Sequence, residues 1–182
     1  QAGHRYARGV SDVVIAGAGV VGAATALELR QRGASVTLLD PGPVPHPDAA
    51  STDISKLIRA DYGSDAFYAA LMETALLRWR EWNARWPAPL FHETGILVLS
   101  GTAFTPQSFE GASFDTLSER GHRLERLDAA AIAARFPAWA AERYCDGYFN
   151  PQGGWAESGR VVEALFAECR AAGVAIVEGA CI

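Results

Sequence analysis

Apolar positions along this chain change their period several times, and each change marks an element. Val13-Val14-Ile15-Ala16 is a short, continuous, β-branched run, the pattern of a strand buried on both faces. It runs into Gly17-Ala18-Gly19-Val20-Val21-Gly22 and then into residues 23–32, an Ala- and Leu-rich stretch that predicts a helix. Gly33 stops that helix. Val36-Thr37-Leu38-Leu39-Asp40 is a second buried strand, broken by Pro41-Gly42-Pro43. Together these form a complete βαβ unit whose crossover is expected to be right-handed.

Residues 41–50 are Pro-rich and irregular. Ser64 is the expected N-cap of a helix reaching about Asn83, with Tyr68, Met72, Leu76 and Trp79 on one stripe and Leu71, Ala75 and Trp82 widening it. Residues 95–100 read as a strand and 100–113 as a polar loop. Asp128 caps a short helix ending before Pro137, and residues 144–149 predict another strand. Ser158 caps a helix that buries Val162, Leu165, Phe166 and Cys169; Gly173 closes it. Val174-Ala175-Ile176-Val177 is a last buried strand. A parallel sheet of three such strands is thin for a nucleotide-binding domain. The chain is therefore expected to be the front part of a longer polypeptide.

Composition narrows the class. The chain has 182 residues, 49% hydrophobic and 20% charged, which describes an ordinary globular protein. Its net charge of -5, from 16 basic and 21 acidic residues, argues against nucleic acid as a partner. No apolar run approaches the roughly 20 residues that span a bilayer, so no membrane partner is expected. Residues 1–10 lack the apolar core of a signal peptide and read as a loose leader. Cys145, Cys169 and Cys181 are odd in number and unclustered, which fits neither a metal site nor a disulfide framework and suits a reducing cytoplasm. Cys169 reads as a buried, inert thiol; Cys181 has no evident role.

The glycine loop carries the first chemistry. Gly17 permits the tight turn off the strand, Gly19 lets the backbone approach a pyrophosphate, and Gly22 lets helix and strand pack closely. The helix that opens at Val20 and Val21 points free N–H groups and its positive dipole end at the phosphates. Asp40, about 20 residues on and at the end of the next strand, would accept the ribose hydroxyls of an adenosine and repel a 2′-phosphate. Pro41 follows it at the same strand end. The fingerprint alone does not separate FAD from NAD.

The separating segment is Ala50-Ser51-Thr52-Asp53-Ile54-Ser55-Lys56-Leu57-Ile58-Arg59-Ala60-Asp61-Tyr62-Gly63. It resembles the same region of the D-amino-acid oxidase-like flavoproteins, with fructosyl amino acid oxidases (amadoriases) and monomeric sarcosine oxidase nearest. Glu93-Thr94-Gly95-Ile96-Leu97-Val98-Leu99, residues 127–137 and Gly154-Trp155-Ala156 extend the resemblance over nearly the whole chain from Val13 on. The resemblance implies an α/β, Rossmann-like FAD-binding domain with the start of a second, α+β substrate domain. It implies a first part of the FAD-binding domain over 11–90, a first part of the substrate domain over 91–152, and a return to the FAD-binding domain over 153–182.

By position in that family, Gly17, Gly19, Val20, Val21, Gly22, Asp40 and Pro41 are implied to hold the dinucleotide. Ser51 and Thr52 resemble phosphate or ribityl contacts, and Ser55 and Lys56 resemble residues beside the isoalloxazine ring. Arg59 resembles a substrate-carboxylate clamp, and Tyr62 a pocket-lining tyrosine. A cation such as Lys56 near the ring stabilises negative charge as it develops, and a planar guanidinium grips a carboxylate bidentately. The plain alternative is that Lys56 and Arg59, three apart, share a solvated face. Asp53 and Asp61 read as caps or surface acids, His92 and Glu93 as structural, and Trp155 as a core or domain-junction aromatic. The implied activity is FAD-dependent oxidation of the C–N bond of a secondary amino acid, a fructosyl amino acid or a sarcosine-like one, by hydride transfer to flavin, with O2 as acceptor and H2O2 as product. A flavin dehydrogenase using another acceptor, or a non-catalytic nucleotide-binding fragment, are the competing readings.

Overall fold

The computed structural model describes residues 12–139 and 141–179. Residues 1–10 and Cys181 lie outside the described residues. In chain order the elements are β1 (Asp12–Ala16), α1 (Val20–Gln31), β2 (Ser35–Asp40), β3 (Lys56–Ile58), α2 (Ala66–Arg85), β4 (Phe91–His92) and β5 (Ile96–Ser100). They continue with α3 (Phe109–Glu119), β6 (Glu125–Asp128), α4 (Ala129–Arg135), a 3-10 turn (Ala141–Arg143), β7 (Asp146–Asn150), β8 (Gly154–Ala156), α5 (Ser158–Ala171) and β9 (Ala175–Glu178).

Two compact units result: the described part of Gln1–Lys56 with Glu157–Ile182, and Leu57–Ala156. These bounds differ from divisions at 90/91 and 152/153. Residues 57–90 go with the second unit because β3 pairs with β8, and because the Asn83 amide of α2 is bonded to the backbone of Leu90 and Phe91.

The first unit is the expected parallel βαβ, extended by β9 in the order β1-β2-β9. Ile15 stands opposite Leu38, and Leu38 opposite Ile176. Leu38 is fully buried where α1 crosses the sheet at Gly22. α1 and α5 pack on each other, and the Cys169 thiol lies between them, 3.5 Å from the Ala23 carbonyl. Burial pushes that thiol up to about 11, so it is inert at neutral pH.

β1 and β9 are not buried on both faces. Val14 is 65% exposed and Val177 44% exposed. An apolar β-branched run does not say how many layers will cover it, and α1 lies against the opposite, Leu38 face. Nor does Ser158 cap α5. Its hydroxyl donates to the Asp53 carbonyl at 2.7 Å, and the Gly159 N–H donates to the same oxygen at 3.0 Å. The start of α5 thus ties down the segment that follows Ser51.

The second unit has two three-stranded sheets, β3-β8-β4 and β5-β7-β6. β7 pairs antiparallel with both β5 and β6. α2 is capped by Asp65 rather than Ser64: the Asp65 carboxylate accepts from the Phe67 and Tyr68 amides. Its buried stripe runs through Ala69 and Leu76, with Met72 beside it, whereas Tyr68 and Leu71 are about half exposed. Residues 100–113 do not stay a loop. α3 begins within them, its first turn capped by the Ser108 hydroxyl, which accepts the Gly111 N–H at 3.1 Å. Glycine at 111 is needed there, since a Cβ would sit 2.1 Å from the Thr105 carbonyl oxygen.

Glu73 on α2 ties down the end of α3. Arg120 donates to both its oxygens and the His122 ring lies 2.9 Å from Oε1. The Arg120 guanidinium, and then His122, hold the Glu73 carboxyl down at about 2 against the opposing effect of burial. A depressed carboxyl stabilises the fold above its ordinary range, and that contribution is lost as pH falls from about 4.5 to about 2. Because about a third of the side chain is exposed, the pair is screened. Glu73→Gln should therefore cost about 1 kcal/mol at neutral pH and flatten the acid limb of stability between those values. Urea melts of both forms at pH 7 and pH 3 check this, and an unchanged acid limb would contradict it.

Candidate functional site

In the first unit the chain converges on the turn between β1 and α1. Gly17 has φ +97°, a conformation that favours glycine, and its N–H donates to the Leu39 carbonyl at 2.8 Å. The Ala18 N–H donates to Asp40 Oδ2 at 2.8 Å, and the Gly42 N–H to Oδ1 at 3.0 Å. These backbone donors, the Ala18 one foremost, hold the Asp40 carboxyl below its usual range and keep it ionised. An ionised carboxylate has about four acceptor sites, so two remain after these bonds. Pro41 is exposed next to it.

Ser51 reaches the same turn from a distant segment. Its Oγ accepts the Val20 N–H at 3.3 Å, across 31 residues of chain. A Cβ at Gly19 would lie 3.2 Å from that hydroxyl, so glycine keeps a gap there in the first turn of α1. Val21 is 75% exposed on the outer side of that turn. The Thr52 hydroxyl oxygen is buried with no hydrogen-bond partner among the described residues. A buried orphan hydroxyl, a glycine cradle, the N-terminal turn of α1 and an ionised carboxylate at the strand end are what a dinucleotide diphosphate and ribose require. The residues fit that group.

Lys56 and Ser55 close the first unit. Both are exposed, and Lys56 Nζ donates to Asp53 Oδ2 at 2.7 Å. Asp53 also accepts the Ile54 N–H. In this exposed pair the Lys56 ammonium first, and then the Ile54 N–H, hold the Asp53 carboxyl low.

The second unit carries Arg59 and Tyr62. The Arg59 guanidinium carbon lies 5.1 Å from the centre of the Tyr62 ring and 5.8 Å from that of Phe109. It forms no salt bridge among the described residues. Tyr62 stacks on Tyr68, with centroids 5.5 Å apart and planes at 25°. Gly63, at φ +61°, follows, and a Cβ there would lie 3.2 Å from Phe109.

Asp61 is not a surface acid or a cap. It is 1% exposed, and its Oδ1 accepts the Tyr148 hydroxyl in a short hydrogen bond. Burial, and then the neighbouring Asp61, push the Tyr148 hydroxyl far up. The Gly63 N–H donates to the buried Ser113 hydroxyl at 2.8 Å. These two contacts anchor the segment immediately after Arg59 to β7 and α3. His92 stacks on Trp155 at 4.2 Å, and Glu93 accepts from Arg80, so both have structural work. Phe109 was not legible as a neighbour of Arg59. The signal lay in α3, which the polar character of 100–113 hides.

Among the described residues no cluster of His, Cys, Asp and Glu is arranged to hold a metal ion, and no helix is long and apolar enough to cross a membrane. Comparison with known proteins adds the family. The profile of the DAO family, described as FAD dependent oxidoreductase, matches residues 12–182. The N-methyl-L-tryptophan oxidase of Salmonella arizonae is 29% identical over 166 residues, which cover 90% of this chain and 43% of that protein. The structure of NikD, an unusual amino acid oxidase essential for nikkomycin biosynthesis, superposes with a TM-score of 0.75 at 27% identity, covering 92% of this chain and 43% of that one. Amadoriase I of Aspergillus fumigatus, a fructosyl amine:oxygen oxidoreductase, does so with a TM-score of 0.69 at 26% identity, covering 94% and 41%. The chain spans less than half the length of these relatives. With the loop, the strand-end carboxylate and this match over nearly its whole length, the chain belongs to the DAO family of FAD-dependent oxidoreductases.

Proposed function

We propose that the protein oxidises the C–N bond of a secondary amino acid, with O2 as final acceptor and H2O2 as product. The observation that carries this reading is Arg59, a guanidinium held against two aromatic rings with no salt-bridge partner among the described residues, in a chain of this family. The relatives support the substrate class, since they are named for an N-methylated amino acid and a fructosyl amine. A cytoplasmic location is part of the same reading and rests on the unclustered cysteines.

When bound, FAD supplies the hydride acceptor. Gly17, Gly19, Val20, Val21 and Gly22 would present backbone to its diphosphate, and Asp40 with Pro41 would flank the ribose. Ser51 and Thr52 would offer hydroxyls to the phosphate and ribityl portions, and Ser55 and Lys56 would serve the ring. Arg59 grips the substrate carboxylate through two parallel N–H bonds, which fixes the C–H bond to be broken. Tyr62 stiffens Arg59 by stacking. To serve the ring Lys56 would have to leave its exposed Asp53 partner, a bond worth little in water.

Asp40→Ala removes the ribose acceptor and the anchor of the Ala18 amide together. FAD affinity of the full-length protein should fall at least about tenfold, the scale of one charged hydrogen bond. Equal retention in an equilibrium titration would remove Asp40 from the cofactor site. The activity itself is tested by adding an N-methyl-L-amino acid anaerobically to the full-length flavoprotein. The visible flavin absorbance should bleach and return with peroxide on admitting air. Persistent colour with every N-substituted amino acid tried would contradict the reading.

A further inference from the structure

We infer that Asp61, Tyr148 and Ser113 form a buried lock that sets where the Arg59 guanidinium stands, which makes them positioning residues for binding of the substrate carboxylate. This rests on the assignment of Arg59 as the carboxylate clamp and adds what holds that clamp in place.

Within the second unit the chain on both sides of Arg59 is tied down. Ala60 is fully buried in an apolar cluster with Ala69 of α2 and Leu117 of α3, against which Met72 and Leu124 pack. Asp61 accepts the hydroxyl of Tyr148, which stands on β7. The Gly63 N–H donates at 2.8 Å to Ser113, which stands on α3. From another side comes the backbone of Gly153. A Cβ there would lie 2.7 Å from the Ile58 carbonyl oxygen and 3.6 Å from the Arg59 Cα, so only glycine lets this turn approach so closely. The stem of Arg59 is therefore fixed by α2, α3, β7 and the Gly153 turn together.

The centre of the lock is polar and closed to water: Asp61, Tyr148 and Ser113 are all buried. Burial and then the Asp61 charge push the Tyr148 hydroxyl up, whereas the Ser113 hydroxyl and the Arg59 charge pull it the other way. One phenol oxygen thus feels all three neighbours. The second carboxylate oxygen of Asp61 is buried with no hydrogen-bond partner among the described residues. Burying a carboxylate with one oxygen unsatisfied is a costly way to fill a core. What it provides is direction, because a carboxylate bonds a hydroxyl more tightly than a neutral acceptor does. Arg59 is two residues away, so a displacement of Asp61 is passed to the guanidinium. A bidentate grip tolerates little of that: about 0.5 Å is acceptable, and about 1 Å costs on the order of a hundredfold.

Steady-state kinetics on the full-length, FAD-loaded protein test the lock, with the N-methyl-L-amino acid that bleaches the flavin as substrate. Tyr148→Phe keeps the ring and loses only the hydroxyl. Its KM should rise about tenfold while kcat stays within about twofold. Ser113→Ala, which strands the Gly63 N–H, should act in the same direction from the α3 side. Asp61→Asn keeps an oxygen that accepts from Tyr148 and should raise KM less than Asp61→Leu. Loss of folded protein alone would lower the active fraction, and with it kcat, and leave KM where it was. In an Arg59→Lys background Tyr148→Phe should add nothing, because the group it positions is gone. An unchanged KM in either Tyr148→Phe or Ser113→Ala that still holds FAD, or the same rise persisting on Arg59→Lys, overturns the lock and leaves the clamp standing. An unchanged KM in Arg59→Lys alone overturns the clamp, and the lock with it.

Discussion

Gly22→Ala should abolish FAD binding by the full-length protein and destabilise the first unit by about 3 kcal/mol or more, the range reserved for substitutions that force backbone apart. The added Cβ would stand 1.9 Å from the Gly17 carbonyl oxygen and 3.1 Å from its carbon, with Leu38 Cδ1 at 3.3 Å on the other side. Leu38 can shift by a few tenths of an ångström. The Gly17 carbonyl cannot, because Gly17 is already committed to φ +97° and its amide is bonded to Leu39. Relief requires α1 to lift off the strand, and the first-turn amides move with it. Thermal melts and an FAD titration of the variant check both parts, and a wild-type melt would show that the turn tolerates what this geometry forbids.

Arg59→Lys is expected to raise KM for the amino acid about a hundredfold, the loss of a bidentate charged pair, while kcat changes much less. Two features set the size. Lysine offers a point charge where guanidinium offers a planar fork, and it forfeits the guanidinium's contact with the Tyr62 and Phe109 rings. Steady-state kinetics with a secondary amino acid decide it. An unchanged KM would take the clamp role away from Arg59.

Local signals brought out the first unit well. The strand–glycine loop–helix run, the closing Gly33 and Gly173, and the acid at the end of β2 each depend on neighbours a few residues away. Sequence therefore displayed them directly. What it concealed depends on distant partners. α3 is rich in Ser, Gly and Thr, poor helix formers, and it forms because Ser108 caps it and Leu117 and Ser113 are buried. Asp61 looks like any acid until Tyr148, 87 residues away, supplies a hydroxyl. Asp65 and Ser64 are both good caps, and only the backbone course of the turn selects between them. The α2 stripe is displaced toward Ala69 because Tyr68 is committed to Tyr62. Of the candidate site, the cofactor loop was thus visible from the start, whereas the aromatic surroundings of Arg59 required the fold.

The most direct trial of the whole account is an equilibrium titration of the deflavinated full-length protein with FAD, followed through the quenching of flavin fluorescence. Saturable one-to-one binding that Gly22→Ala removes is the outcome expected here. A protein that ignores FAD yet binds NAD, or binds neither, would contradict it.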